Sequence, residues 1–404
     1  MSGDRYDELM ARRAALEGEV QRRFRAHREN ALQDVPLLSQ GRPTTAAART
    51  RGIHLAADGS LHATLEFTDI HGVTSTVTMH AAPGGEVEEI AAIEPEVAAS
   101  GPHQAGDESE ERLGIVTDLA REHLPEEAAQ AFLALLRPAL RLEHAGESDP
   151  VIAQLGGLPT LPVNSWPVWE GHGPLSHVLS FDCEPVSQLL PELGLPATGR
   201  LAFFYFDGTY DNYASTVFAG DPSSSPGFRV LHLHPEESSP AAITNAATPP
   251  PPGLRPFNPI ALTAVRTVTW PSRETPTAEA VWTRAGLNGP RGGVSAAPVE
   301  ALYAALWELP GGGYDTHQIG GHACPQQGPV ELEVEQLRRG IAGEPFAWAD
   351  PDVQSTASEW QLLLQVATDD EVDPDLMWGD VGQLYYLVRD IQRPQDALFT
   401  WQCG

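Results

Sequence analysis

His317, His322 and Cys324 fall in one glycine-rich stretch, with Asp315 beside them. Imidazole and thiolate are the donors zinc favours, but no second donor pair at finger-like spacing completes the set. Asp369, Glu371, Asp373, Asp375 and Asp380 follow the ligand order of a calcium loop. Pro374 stands where the sharp turn needs glycine, and the closing ligand is Asp instead of Glu. A solvated acidic turn is the expectation there. His232 and His234 alternate on a strand and share its exposed face, with Leu231 and Leu233 on the other. No GxSxG elbow and no HExxH pair is present, and Cys183, Cys324 and Cys403 each lack a partner pattern. No catalytic residue, cofactor or metal is therefore assigned.

Trp378-Gly379-Asp380-Val381-Gly382 precedes an aromatic strand. Glycines there let the backbone approach a ligand or another strand. A tight turn over a buried tryptophan is expected. The residues assigned to ligand or partner contact are His317, Gly320, Gly321, Asp369, Trp378, Gly379, Asp380 and Gly382. The nine tryptophans could line a carbohydrate or peptide groove, but the default for most is core packing.

The 404 residues carry 55 acidic and 25 basic side chains, a net charge of −30, and every basic residue is arginine. Without lysine there is no Schiff base and no phosphate-loop ammonium, which removes pyridoxal enzymes and Walker-type ATPases. The charge argues against nucleic acid and anionic membrane, and permits a basic protein partner. Three scattered cysteines give no disulfide framework, so a reducing cytoplasm is expected. The N-terminus has no apolar core of a signal peptide, and no apolar run reaches membrane-spanning length.

The elements that must position these groups follow from periodicity. Leu9, Leu16, Val20 and Phe24 mark a helix over 4–31. Alternation around Ile53, Leu61–Phe67 and Val73–Met79, with Asp58-Gly59 between the first two runs, predicts a three-stranded meander, giving an N-terminal module over 1–82. Residues 83–111 hold nine acidic side chains and no lysine or arginine, and read as a mobile linker. Two helices follow, with Leu113, Val116 and Leu119 inward on the first, and Phe132, Leu135 and Leu136 on the second. Strands are expected at Leu201–Phe206, Phe228–His234 and Ala261–Trp270. A helix is expected over Val299–Trp307 and a surface loop at Pro249–Pro252.

Three elements recur in one order: a Gly-Gly turn, a strand ending in acid, then a glycine-started aromatic strand. They are Leu155–Pro159, Pro174–Asp182 and Gly199–Phe204, matched by Ile319–Ala323, Trp360–Asp369 and Gly382–Leu387. A duplicated unit packed about a pseudo-twofold is expected, with copies at about 150–210 and 315–395.

Leu155-Gly156-Gly157-Leu158-Pro159-Thr160-Leu161-Pro162 with Trp166-Pro167, then His317–Gly321 with Gln326-Gln327-Gly328, then Leu362–Asp369 with Met377–Gly382 and Tyr385-Tyr386, closed by Trp401-Gln402-Cys403, resemble the DUF1963 or YwqG-like family over about 110–404. The sequence departs from the family pattern at Ser180, where glutamine is usual, and at Ala367-Thr368-Asp369, where Asp-Ser-Asp is usual. The resemblance implies an α+β fold, no agreed activity, often a bacterial source, and some association with toxin and immunity neighbourhoods.

Together these features predict an α+β domain over 112–404 with a duplicated β-rich core. Its expected function is non-catalytic binding of a protein partner, through an acidic face or the cleft between repeats. The alternatives are an enzyme or small-molecule or metal binder built on His317, Asp369, Trp378 and Asp380, and a scaffold that self-pairs through the N-terminal helix.

Overall fold

The computed structural model describes the strand backbone within residues 47–93. It describes residues 106–403 in full, apart from 219, 235–246, 289–295, 310, 314–315, 343–346, 370, 373–377 and 379–380. The expected helix over 4–31 lies outside the described residues, as do Asp315, Asp373, Asp375, Gly379 and Asp380.

The chain forms two compact units, Met1–Gly101 and Pro102–Gly404. The first holds β1 (Ala47–Leu55), β2 (Leu61–Thr68), β3 (Thr74–Ala81) and β4 (Val87–Ile93) in an antiparallel sheet of that order. Three of these strands match the alternation; the fourth falls in the stretch read as linker. Val87, Ile90 and Ile93 sit among glutamates, so acid content hid the strand propensity. The other end of the supposed linker is also ordered. β5 (Gly106–Asp107) pairs in parallel with a strand of the second unit, and helix α1 begins at Ser109.

In the second unit, α1 (Ser109–His123) and α2 (Glu126–Leu133) lead into β6 (Arg137–His144). α1 buries Arg112, Val116 and Ala120, while Leu113 is 44% exposed, so its inner face is turned from the expected one. Then come β7 (Ala153–Leu155), the short hairpin β8 (Val168–Trp169) and β9 (Gly173–Pro174), β10 (Ser176–Asp182), α3 (Cys183–Leu189), β11 (Arg200–Tyr205), β12 (Phe228–Leu233) and β13 (Ile260–Thr269). The rest is α4 (Pro276–Arg284), α5 (Ala297–Trp307), β14 (His317–Gly320), α6 (Val330–Arg339), α7 (Pro351–Ala357), β15 (Gln361–Ala367), β16 (Gln383–Val388) and β17 (Leu398–Gln402).

One large sheet runs β12-β11-β10-β7-β13-β6-β14-β15-β16-β17, antiparallel throughout except for β5. Its centre is the antiparallel pair of β6 and β13, from Leu262 opposite His144 to Thr269 opposite Arg137. The sheet curls until its arms meet. Phe203 on β11 contacts Tyr386 on β16 at 5.0 Å, and Phe228 on edge strand β12 stacks on Phe399 of the opposite edge strand β17 at 5.3 Å. The result is a mixed α and β domain whose sheet is nearly closed into a barrel, which shields edge strands that would otherwise invite pairing.

The enclosed face holds much of the main core, including Leu140, Leu155, Phe203 and Leu364. A second core of Val116, Phe132, Trp282 and Leu302 joins α1, α2, α4 and α5. A third sets α6 against β15 and β16 through Val330, Val334, Trp360 and Tyr385. Among the described residues, no helix is long and apolar enough to cross a membrane.

Candidate ligand-binding site

β14 is only four residues long, yet both of its ends are held by unusual polar contacts. At its start, His317 lies where β14 and β15 run side by side. Its Nδ1 accepts a hydrogen bond from the Ala367 amide at 3.1 Å, so the ring proton is on Nε2, which donates to Asp369 Oδ2 at 3.1 Å. His144, at the end of β6, donates from Nε2 to the same oxygen at 2.7 Å, and its Nδ1 faces Glu371 at 3.3 Å. Burial disfavours charge on His144, but the bonds to Asp369 and Glu371 and their negative charges outweigh it and lift the imidazole to about 9. Burial likewise works against the Asp369 carboxylate, and the two imidazoles still hold it well below the usual range.

Among the described residues, one group of donors is close enough to share an ion: His144, His317 and Asp369, within 4.8 Å of one another. His144 fits a metal ligand, with Glu371 as the carboxylate behind it. His317 does not. A ligating histidine donates its second nitrogen's proton to a neighbour, whereas here that nitrogen accepts from a main-chain amide. The group is a hydrogen-bonded His–Asp–His lock joining β6, β14 and the turn after β15.

At the other end of β14 the chain turns through Gly320 and Gly321, with φ of 71° and 72°. A Cβ at Gly321 would sit 2.5 Å from Thr269 Oγ1, so glycine is required there twice over. The loop that follows lies across the sheet and is clamped by buried glutamines. Gln318 donates to the carbonyls of Gly320 and His322, both at 2.8 Å. Gln365 accepts from the Cys324 amide at 2.9 Å and donates to the Thr316 carbonyl at 3.0 Å. Gln383 and the Tyr385 hydroxyl both donate to the Cys324 carbonyl. Gln402 accepts from the Gln327 amide at 2.9 Å and donates to the Gly328 carbonyl at 2.8 Å. One amide head satisfies both a donor and an acceptor, so such side chains can fix an irregular loop where water is excluded.

The clamped loop forms one wall of a cavity of about 490 Å³. α5 and the segment just after β13 form the rest. Trp270, Tyr303 and Trp307 contribute rings; Arg112, Arg273 and Glu300 contribute charge. Arg112 lies 5.1 Å over the Trp270 ring and donates to the Val268 carbonyl. Arg273 pairs with Glu300 at 2.5 Å, and the Tyr303 hydroxyl donates to the Pro271 carbonyl at 2.7 Å. Gln326 also lines the cavity; its amide nitrogen donates to the Val381 carbonyl, while its buried Oε1 accepts no hydrogen bond from the described residues.

Residues 153–403 match the family described as Domain of unknown function (DUF1963). The chain belongs to this family. Among curated proteins, none matches it. In this DUF1963 domain, the motifs of the second half become intelligible as loop clamps: Gln318, Gln326, Gln327, Gln365 and Gln402 all bond the main chain. The Ala367-Thr368-Asp369 departure is accommodated too. Ala367 acts only through its backbone, donating to His317 and accepting from Trp378 Nε1 at 2.9 Å. The Thr368 hydroxyl accepts from the Trp378 amide and donates to the Gly382 carbonyl.

Of the residues assigned from sequence, His317 and Asp369 touch, and Trp378 and Gly382 join them through Ala367 and Thr368. Trp378 is buried, as a turn over a tryptophan requires. Gly320 and Gly321 stand at the far end of β14. None of these six lines the cavity. The zinc trio does not assemble: His322 turns away to donate to the Leu135 carbonyl at 2.7 Å, and burial pushes it down to about 3. Cys324 Sγ faces the Gly312 carbonyl instead. The rings of His232 and His234 lie 4.2 Å apart and tilted at 49°, and all three cysteines are free thiols.

Trp270 and Trp307 were among the nine tryptophans weighed for a groove, while His144, Tyr303 and the cavity's arginines were missed. Sequence reading had no signal for them beyond residue type, because each joins partners far along the chain.

Gly382 offers a direct check of this geometry. An added Cβ would lie 2.0 Å from the Trp378 carbonyl and 2.3 Å from that of Gln402. Gly382→Ala is expected to destabilise the domain by about 1–3 kcal/mol in urea unfolding, the range for forced overpacking.

Proposed function

We propose that this protein is a non-catalytic binding protein whose ligand seats in the cavity between α5 and the glutamine-clamped loop. The observation that carries this is the clamp itself: four buried glutamines, Gln318, Gln365, Gln383 and Gln402, hold an irregular loop as a preformed wall. Preorganisation of this kind lowers the entropic cost of binding. The volume lies in the range of small-ligand pockets. The ionisable groups nearby are engaged with one another, as in Arg273 with Glu300, which favours recognition over proton transfer.

The test is a ligand-observed NMR fragment screen of the intact protein against Ala304→Trp, which fills the cavity from α5. Fragments that bind the wild type and lose binding in the variant support the seat. Absence of hits, or hits indifferent to the variant, rejects it. A basic protein partner on the acidic surface is a second proposal, favoured by the net charge of −30. It would be recovered at stoichiometry from a salt-washed affinity purification in native cytoplasmic extract.

We further infer that the domain is a duplicated unit, each copy lending its first strand to the other. Outward from β6 and β13, β7-β10-β11-β12 corresponds to β14-β15-β16-β17. Gln154 donates to the Gly156 and Leu158 carbonyls as Gln318 does to those of Gly320 and His322. Both arms carry a register shift at the same place, between His177 and Leu179 and between Leu362 and Leu364. Cys183 donates to the Gly199 carbonyl as Thr368 does to that of Gly382. Phe203 and Tyr386 are equivalent in this alignment and contact each other, as residues near a twofold axis do. Ser180 then corresponds to Gln365, so the first copy lacks that clamp.

A further inference from the structure

We propose that the cavity's ligand is a neutral saccharide; this rests on the binding seat proposed above and adds the class of ligand. Four charged residues line the cavity, Arg112, Arg273, Glu274 and Glu300, so it is electrically balanced in a chain of net charge −30. The arginines are already engaged. Arg112 bonds Glu108 and the Val268 carbonyl and covers Trp270, and Arg273 bonds Glu274 and Glu300. A phosphate or carboxylate ligand would have to compete with Glu274 and Glu300 for Arg273 and with Glu108 for Arg112, and would meet the like charge of those carboxylates. A cationic ligand would meet two arginines, one of them on the aromatic face that a cation would seek.

A purely apolar ligand fits no better. It would cover the polar residues Gln326, Gln327 and Ser272 that line the cavity and give them no hydrogen bond in exchange for water. The occupant must be uncharged, carry hydroxyl or amide donors, and offer an apolar face to indole. A pyranose ring has these features: its C–H face stacks on aromatic rings and its hydroxyls pair with planar amides. An extended peptide is less suited. Addition to a sheet edge, the mode that uses an extended peptide's main chain, is closed here, because the strands that reach this cavity, β13 and β14, have neighbours on both sides.

The experiment is isothermal titration of the full chain with maltose, cellobiose, xylobiose, lactose and N,N′-diacetylchitobiose, beside a tripeptide library and the fragment hits. Tryptophan fluorescence is read in parallel. The expected result is that at least one disaccharide binds and shifts the fluorescence. Its affinity should be unchanged between low and high salt, weakened about tenfold by Trp307→Ala and abolished by Ala304→Trp. Trp307 stands at the rim, 37% exposed, so its removal spares the core. Saccharides that fail while a peptide or fragment binds wild type and not Ala304→Trp would overturn the saccharide and leave the seat standing. Binding that falls steeply with salt would also overturn it. If nothing depends on Ala304→Trp, both fall.

Discussion

Glu335→Ala will destabilise the domain by about 3–5 kcal/mol, the cost of breaking a buried ionic network by removing one partner. Glu335 is fully buried on α6 and accepts five hydrogen bonds from four side chains. Arg338 donates twice, at 2.7 and 2.9 Å, Arg339 Nε at 2.6 Å, the Thr356 hydroxyl at 2.7 Å and Trp360 Nε1 at 3.0 Å. Burial opposes the charge, but those bonds outweigh it and hold the carboxyl well below its usual range. Its stabilisation is therefore complete above the unfolded carboxylate value and is lost as pH falls through the folded one.

Arg338 is 41% exposed and adds little, because water screens it. The large contributions come from Arg339 and Trp360, which tie α6 to α7 and to the entry of β15. Glu335→Gln keeps the shape and some bonds, so it should cost less than alanine and should flatten the acid limb of the stability curve. Urea midpoints at pH 3–8 for the three proteins would decide. A loss under 1 kcal/mol for alanine, or an unchanged acid limb in the glutamine variant, would show that the network carries no such load.

Glu335 also shows where sequence reading stops. Its spacing to Arg338 and Arg339 announces surface helix pairs, and nothing local says that α7 and Trp360 will cover it. The same holds across the domain. Periodicity found the strands at Leu201, Phe228 and Ala261 and the helix before Pro310, because each of those patterns is local. The strand at Val87–Ile93 was missed because glutamates broke its apolar pattern. His317, His322 and Cys324 looked like one donor set, but two left-handed glycines reverse the chain between the first and the others and send His322 to the Leu135 carbonyl. The motif glutamines were visible as residues; their clamping role needed the sheet order, since Gln402 and Gly328 meet only when β17 lies beyond β16. The cavity was illegible for the same reason: the motif residues Gln318 and Gln326-Gln327-Gly328 form only one wall, and the others come from as far away as Arg112.

The His144 lock predicts stability at the opposite end of the pH scale. Its folded value is raised to about 9 from an unfolded value near 6.5, so its stabilisation is complete below about pH 6.5 and is lost as pH rises through 9. A shift of that size corresponds to about 3 kcal/mol, and His144 is sheltered enough, at 21% exposed, for most of it to be realised. Asp369 works in the other direction: its depressed value stabilises above the usual carboxylate range and is lost in acid. Together they give a plateau between about pH 5 and 6.5 with a falling limb on each side. His144→Gln should remove the alkaline limb that this lock contributes, while lowering the plateau by a similar amount. Asp369→Asn should flatten both limbs, because it removes the shared acceptor of both imidazoles. The quantity to compare is wild type minus variant, from urea midpoints at pH 5–10. A difference that stays constant from pH 6 to 10 would show that His144 is not charged in the folded protein, and the bond to Asp369 would then be an ordinary neutral one.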